Sequence, residues 1–502
     1  MKRIYLLLGS LTLLTATGAA ATATEAYEIQ TILAASSPTS SRSANWKPGD
    51  GIVLEVGGMD FTADGKLAVA IRKGEVWLID GLQRGATSPP TYKLFASGLH
   101  EPLGVMRDGD GLLVAQRTEI TRLRDTNGDG VADEYLTACR GWNVSGAYHG
   151  YTYGPKRDGA GNLWVALNLD LGERSDNDAP WRGWAGIIGA DAAFKPMAAG
   201  MRSPCGLGAN ATGDMFCVDQ QGTWIPATPI YHLRRGAFYL NPEGLGPQRR
   251  PDSPVKLSAP VPNKVPYPDA VRAVPEMAPP AVWLPYNKMG RSGTDIAVCD
   301  QAGKFGPFDG QLFVGEFTDA KVSRVFLEQV DGQYQGAAFP FLSGFASGVV
   351  RVLFGDDGSL FVGMTSRGWS SLGLHSYGLQ RVRWTGLTPF ALREMRALPG
   401  GFELVFTSPV DAESAGRTES YSIKSYTFLY SSAYGSPEID VRPLAITSAT
   451  VSSDGLHVRL QVEGLRELYV HELRADGVRS ASGAPLAHPD AYYTLNRIPR
   501  QP

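Results

Sequence analysis

A chain of 502 residues with a formal net charge of −3 has no basic excess to neutralise phosphates, which argues against a nucleic-acid partner. Its make-up, 43% hydrophobic and 19% charged with 59 Gly and 34 Pro, suits many short strands and turns rather than long helices or disorder. Two or three domains are expected, because single cores stop growing near about 250–300 residues.

The first 23 residues read as an export signal. Lys2 and Arg3 give the charged start, Ile4 to Leu14 the apolar run, and Ala21-Thr22-Ala23 a small-residue cleavage site. The run is too short to cross about 30 Å of hydrocarbon, and no later stretch could span a membrane. A secreted or periplasmic protein is therefore expected. Residues 24–45, rich in Ala, Ser and Thr, read as a linker. Four cysteines (Cys139, Cys205, Cys217, Cys299) would reach an oxidising compartment. They allow three pairings, with a local Cys205–Cys217 bridge among them, or four small buried thiols; spacing does not choose.

From about Trp46 to residue 385 one unit recurs: a short apolar strand, a Gly- or Asp-rich turn, and a second apolar strand. The turns are Asp64-Gly65, Asp110-Gly111, Gly161-Asn162, Gly213-Asp214, Asp309-Gly310 and Asp357-Gly358. Aligned on Leu67, Leu112, Leu163, Met215, Leu312 and Leu360, the steps are 45, 51, 52, 97 and 48 residues. That period marks a β-propeller, whose blades are too small to bury their own faces and pack radially around one axis. The 97-residue step raises a seventh blade. However, Thr223 to Gly290 holds 14 prolines and no hairpin repeat, so it reads as long loops over one face. Six blades are expected, with Ile52 to Val56 a candidate for closing the ring.

After Thr385 the pattern becomes strict alternation, as in His457-Val458-Arg459-Leu460-Gln461-Val462. The whole chain is thus expected to be all-β: a six-bladed β-propeller followed by an immunoglobulin-like β-sandwich, the latter a separate domain over residues 388–499.

Two places carry chemistry. In Asp125-Thr-Asn127-Gly-Asp129-Gly130-Val131-Ala-Asp133, oxygens fall at positions 1, 3, 5 and 9, with Gly at 6 and a carbonyl, that of Val131, at 7. That pattern describes a calcium loop. Position 12 is Leu136, so the bidentate Glu of an EF-hand is missing, and a structural calcium ion on blade two is expected. The second place is the start of each blade's innermost strand, since in a propeller these converge on one mouth of the central channel. Glu101, His149, Arg202, Lys288, Arg291 and Arg351 all stand there. An imidazole among cations can take a proton from an alcohol whose oxygen or carboxylate is held nearby, with His149 as base. Trp142, Tyr148, Tyr151, Trp224, Tyr231, Trp283, Tyr286 and Trp369 are candidate stacking surfaces for a sugar.

His149-Gly-Tyr-Thr-Tyr-Gly154-Pro155, followed by Gly161-Asn162-Leu163-Trp164-Val165, resembles a blade of the soluble quinoprotein glucose/sorbosone dehydrogenases. Gly200-Met201-Arg202-Ser203-Pro204-Cys205-Gly206, Asp219-Gln220-Gln221-Gly222 and Arg291-Ser292-Gly293 are similar to further stretches of that family. Met289-Gly290-Arg291-Ser292-Gly293 and Lys304-Phe305-Gly306-Pro307-Phe308 look closer still to related secreted bacterial propellers with an Ig-like C-terminal domain. The resemblance implies a sugar or polyol oxidoreductase with His149 as catalytic base and Arg202 orienting substrate. It also implies pyrroloquinoline quinone (PQQ) held by Lys288, Arg291 and Arg351, and an extracellular electron acceptor. Where the family has an Arg-x-Arg pair, this chain has Val349-Val350-Arg351, and Ser203 replaces an Asn. Two other readings stay open. One is a calcium-dependent hydrolase or lactonase using Glu101, Asp60 and Asp295; the other is a non-catalytic carbohydrate- or protein-binding propeller.

Overall fold

The computed structural model describes residues 22–34, 53–83, 85–86, 88–144, 146–171, 179–368 and 370–500. The signal sequence up to residue 21, residues 35–45 of the expected linker, the Trp46 boundary and Trp369 lie outside the described residues.

Apolar strands separated by Gly turns build six four-stranded antiparallel blades, five as separate sheets and the fifth blade as part of a nine-stranded sheet. Their innermost strands are Val56–Phe61, Val105–Asp108, Thr152–Arg157, Gly206–Ala209, Gly293–Val298 and Val349–Phe354. Each innermost strand touches the next, and the sixth touches the first, so the ring is complete. Glycine permits this crowding. A Cβ on Gly104 would fall 1.6 Å from the Gly154 carbonyl oxygen, and one on Gly206 would fall 1.9 Å from that of Thr294.

Blade six consists of Val349–Phe354, Leu360–Thr365 and Tyr377–Trp384, and its outermost strand is Tyr27–Ala34 from the other end of the chain. The pairing runs from Tyr27 opposite Trp384 to Ala34 opposite Gly378. Two expectations are corrected here. The ring is closed by residues 27–34, not by the expected segment up to Val56, of which Ile52 lies outside the described residues, and that part of the expected linker is a strand. Tyr27-Glu-Ile-Gln-Thr-Ile is β-rich, but an Ala/Ser/Thr window hides it.

The 97-residue step holds no seventh blade. Residues 233–281 are an insertion between the third strand (Thr228–His232) and fourth strand (Val282–Leu284) of blade four. Its Val255, Tyr267, Ala270 and Val274 are buried in the cluster that also holds Tyr426, Phe428 and Tyr430 of the C-terminal part.

That C-terminal part is a sandwich of two sheets, but it is not independent. One sheet orders Leu392–Leu398, Gly401–Phe406, His457–Val462 and Ile446–Val451. The other contains Ser422–Tyr430, Tyr469–Arg474 and Asp490–Leu495, and it continues directly into blade five. Gly336, Ala337 and Ala338 of blade five's outer strand pair with Thr494, Tyr493 and Tyr492. Phe326, Ala337 and Phe339 of that blade also sit in the sandwich's own core beside Phe402, Leu460 and Tyr493. The expected domain boundary near residue 388 is therefore bridged by one sheet and one core. An edge strand with apolar side chains gains both ladder bonds and buried area by accepting such a neighbour.

All four cysteines are free and buried. No described helix is long and apolar enough to cross a membrane.

Candidate functional site

One end of the channel opens into a cavity of about 150 Å³. It is lined from several blades by His149, Arg202, Tyr148, Tyr151, Asn168 and Gln221, and by Tyr434 from the sandwich. The loops that form it lead into the innermost strands or leave the second strands, which end at the same face.

His149 stands in a tight turn before Thr152–Arg157. Its carbonyl accepts from Tyr151 N at 2.7 Å, and Gly150 N donates to Ala147 O at 3.1 Å. Two buried guanidinium groups hold this turn. Arg117 donates to the carbonyls of Ala147 (3.1 Å) and Tyr148 (2.8 Å). Arg182 donates to those of Tyr151 (2.6 Å), Asn143 (2.7 Å) and Arg117 (3.1 Å). Burial pushes Arg182 down to about 10, and Asp170, 4.0 Å from its Nε, opposes that shift. Asp170 lies directly under the turn, since a Cβ on Gly150 would meet its Oδ1 at 3.2 Å. The Tyr148 ring meets the imidazole edge-on at 5.2 Å.

Glu101, at φ +44, bridges Arg72 (3.2 Å) and Arg117. Such a backbone conformation costs on the order of 1 kcal/mol and collects at functional sites. Burial raises its carboxyl, but the two guanidinium partners outweigh this and hold it below the usual range. Tyr151 is packed between them, with Arg117 at 4.5 Å and Arg72 at 5.2 Å from its ring centre. Burial raises its phenol to about 12, whereas its neighbour Tyr148 is lowered, first by its hydrogen bond with Tyr151.

Arg202 is placed by Asp219. That buried carboxylate accepts from the backbone N–H groups of Arg202 (2.8 Å), Ser203 (2.6 Å) and Gln220 (2.8 Å). Glu316 does the same in blade five for Arg291 (2.9 Å) and Ser292 (2.7 Å). In each case one carboxylate ties the loop entering a blade to the end of its second strand.

Of the residues expected at the mouth, His149 and Arg202 line the cavity and Glu101 braces it. The others are corrected. Arg351 is buried lower in the channel, bonded to the carbonyls of Leu103 (2.7 Å), Val350 (2.7 Å) and Cys205 (3.3 Å). Lys288 is bound to Glu438 and Glu472 of the sandwich, both at 2.7 Å, with the Tyr426 ring against it. The Arg291 side chain is 43% exposed, faces Asp319 at 3.5 Å, and does not line the cavity. The loops of blades four and five bend toward the sandwich that the repeat pattern had placed elsewhere. Among the aromatics, Tyr148 and Tyr151 line the cavity, whereas Trp142, Tyr231 and Trp283 are core. Asp60 and Asp295 accept backbone N–H groups of Arg107 and Val352, away from Glu101's partners.

Sequence reasoning missed Arg72, Arg117, Asp170, Arg182, Arg367 and Tyr434. Four of these could have been found in part. A polar residue at or within three positions of each second strand's end (Arg72, Arg117, Asp170, Asp219, Glu316, Arg367) recurs with the repeat itself. Arg182 and Tyr434 carry no such signal.

The blade-two loop joins Glu119–Arg124 to Glu134–Arg140. Asp125 accepts from Gly128 N (2.8 Å) and Gly130 N (2.7 Å). Asn127 accepts from Asp129 N (2.8 Å), and Asp129 from Val131 N (2.8 Å). Asp133 accepts from Thr126, and the Lys93 ammonium lies against the Asp129 carbonyl. No group of three or more His, Cys, Asp or Glu suited to a metal occurs among the described residues.

The fold and mouth define a six-bladed propeller with a ligand-sized opening. The sequence model of the family described as "Domain of unknown function (DUF7133)" matches residues 77–337, and the chain belongs to that family. No curated protein matches it. Among solved structures, it is similar to a putative oxidoreductase (glucose dehydrogenase) of Thermus thermophilus, at 16% identity and a TM-score of 0.47, covering 71% of this chain and 99% of that one. It is also similar to the PQQ-bound aldose sugar dehydrogenase of Streptomyces coelicolor, at 12% identity and 0.48, covering 71% and 98%. A third is the PQQ domain of pyranose dehydrogenase from Coprinopsis cinerea, at 12% identity and 0.42, covering 71% and 95%.

Asp219 supplies a pH test. Burial raises its carboxyl to about 6, above the usual 3.8. A raised acid favours the folded state at low pH, so this contribution is full below about pH 4 and is lost as pH rises through about 6. A shift of that size corresponds to on the order of 3 kcal/mol. Urea unfolding of the parent minus that of Asp219→Asn is expected to show a difference that changes across this window. A difference flat in pH contradicts the assignment.

Proposed function

We propose that the mouth binds a sugar or polyol and oxidises one of its hydroxyls. The observation that carries this reading is a half-buried guanidinium, Arg202, sharing one tyrosine-ringed cavity with His149 and with Asn168, Ser203, Gln220, Gln221, Ser292 and Thr294. Stacking rings with a few polar anchors suit a carbohydrate. In the reaction, His149 takes the hydroxyl proton while the carbinol hydrogen leaves as hydride. An external two-electron acceptor is reduced and a carbonyl forms. The export signal read from the sequence supports action outside the cytoplasm.

The residues present do not fit PQQ. A tricarboxylate quinone calls for several free cations. Of the guanidinium groups lining the cavity, Arg72 is paired with Glu101 and Arg367 with Glu55 at 2.8 Å, which leaves Arg202. The Asp219 carboxylate is turned inward onto three N–H groups. This misfit favours a second reading, in which the mouth binds carbohydrate without turnover.

Aldoses and polyols with a quinone-type dye, with and without added PQQ and Ca²⁺, separate the two. Dye reduction is expected without PQQ and is expected to fall about 10²- to 10⁴-fold in His149→Ala. Sugar binding without dye reduction under either condition supports the second reading.

The proposal includes a structural calcium ion on the 125–133 loop, supported by the spacing of its oxygens. The Lys93 ammonium opposes a cation there by like charge. Added Ca²⁺ is expected to raise the melting temperature by a few degrees, and by more in Lys93→Met. An unchanged melting temperature in both contradicts it.

A further inference from the structure

Arg202 packs closely against two groups. One is the Gly222 backbone, where a Cβ would come within 2.2 Å of Nε. Another is the Tyr434 ring, whose centre is 5.3 Å from the guanidinium carbon. Among the described residues the side chain's one hydrogen bond is a long one, Nη1 to Ser203 Oγ at 3.4 Å, and its buried Nε has no partner there. Among the described residues no carboxylate is in ion-pair contact with its guanidinium, although the Asp219 carboxylate, bonded to the Arg202 backbone N–H, acts on it at longer range. A guanidinium packed against a ring and a backbone, with little to bond, has donors left for a ligand, and a guanidinium edge matches a carboxylate in bidentate geometry.

The same cavity holds an unmatched acceptor. Asn168 is 1% exposed; its Nδ2 donates to Leu169 O at 3.1 Å, and its Oδ1 has no partner. A buried carbonyl oxygen without a donor calls for one.

Tyr434 is held in place although it is 57% exposed. It sits on the turn between Ser422–Tyr430 and Glu438–Leu444, and that turn is pinned to blade four and its insertion. Trp224 N donates to Ser431 O at 3.1 Å, and Gly435 N to Gly222 O at 3.3 Å. Ser432 N donates to Asn263 Oδ1 at 3.0 Å, with the Asn263 amide returning a bond to Ser432 Oγ at 3.0 Å.

We propose that the ligand is a sugar acid, with its single carboxylate on the edge of Arg202 beneath Tyr434 and its hydroxyls toward Asn168. The sandwich thereby supplies one wall of the ligand site. This rests on the carbohydrate reading above and narrows it. Among the described residues lining the cavity, Arg202 is the guanidinium group without a carboxylate in ion-pair contact, whereas Arg72 has Glu101 and Arg367 has Glu55, so one carboxylate on the ligand has one such partner.

Calorimetric titration of the full chain with glucuronate, gluconate, glucose and acetate tests it. Glucuronate or gluconate is expected to bind at least about tenfold more tightly than glucose, with acetate weaker than either acid. Arg202→Gln is expected to abolish the preference for the acid. Tyr434→Ala, at an exposed position that does not endanger folding, is expected to weaken sugar acids by roughly three- to tenfold, while Tyr434→Phe keeps them. Equal affinity for glucose and glucuronate overturns the proposal, as does acetate matching glucuronate, no binding of any of the four, or an unaffected Tyr434→Ala. Oxidation of neutral aldoses without a preference for acids sinks this inference and leaves the oxidoreductase reading standing. Tight glucuronate binding without dye reduction does the reverse.

Discussion

The antiparallel pairing of Tyr27–Ala34 with Tyr377–Trp384 is the constraint on which the rest depends. It joins the two ends of the ring into one blade, pairing the edge of Tyr377–Trp384 that would otherwise be left open. Only a closed ring holds six innermost strands close enough for Gly104 to lie against Gly154 and Gly206 against Thr294. Only then do loops from blades one to six meet over one opening.

What the opening contains follows from how charge is handled near a low-dielectric core. Arg117 and Arg182 are buried, and each is satisfied mainly by backbone carbonyls of the loop that carries His149. A buried guanidinium with such partners is costly to remove and holds the loop in one shape. Asp219 and Glu316 act with the opposite sign, gathering backbone N–H groups of the next loops. These charges are spent on position. Arg202 is the exception, its guanidinium packed against Gly222 and Tyr434 with little to bond, and so the ligand argument turns on it.

Much of the architecture was legible because it repeats. Gly-turned hairpins about fifty residues apart define blades whatever lies between them; the proline-dense step adds no blade, but it is not all loop, since it holds Thr228–His232, Val282–Leu284 and the helix Tyr267–Ala273. The same logic brought His149 and Arg202 to one opening. It failed for Lys288, Arg291 and Arg351, because standing before an inner strand does not settle where a long side chain turns. Glu438, Glu472 and Asp319 draw two of them away, and carbonyls inside the channel take the third. Ring closure was missed because the closing strand is remote in sequence. Tyr434 was missed because pattern alone does not show that the sandwich's sheet is an extension of blade five.

The claim that the mouth between His149, Arg202 and Tyr434 is where ligand binds is tested most directly by a crystal structure grown with a saturating sugar acid. The account predicts density inside that opening, with two oxygens within hydrogen-bond distance of the Arg202 edge. Ligand density confined to the sandwich or the outer rim, with the opening filled by solvent alone, would contradict it.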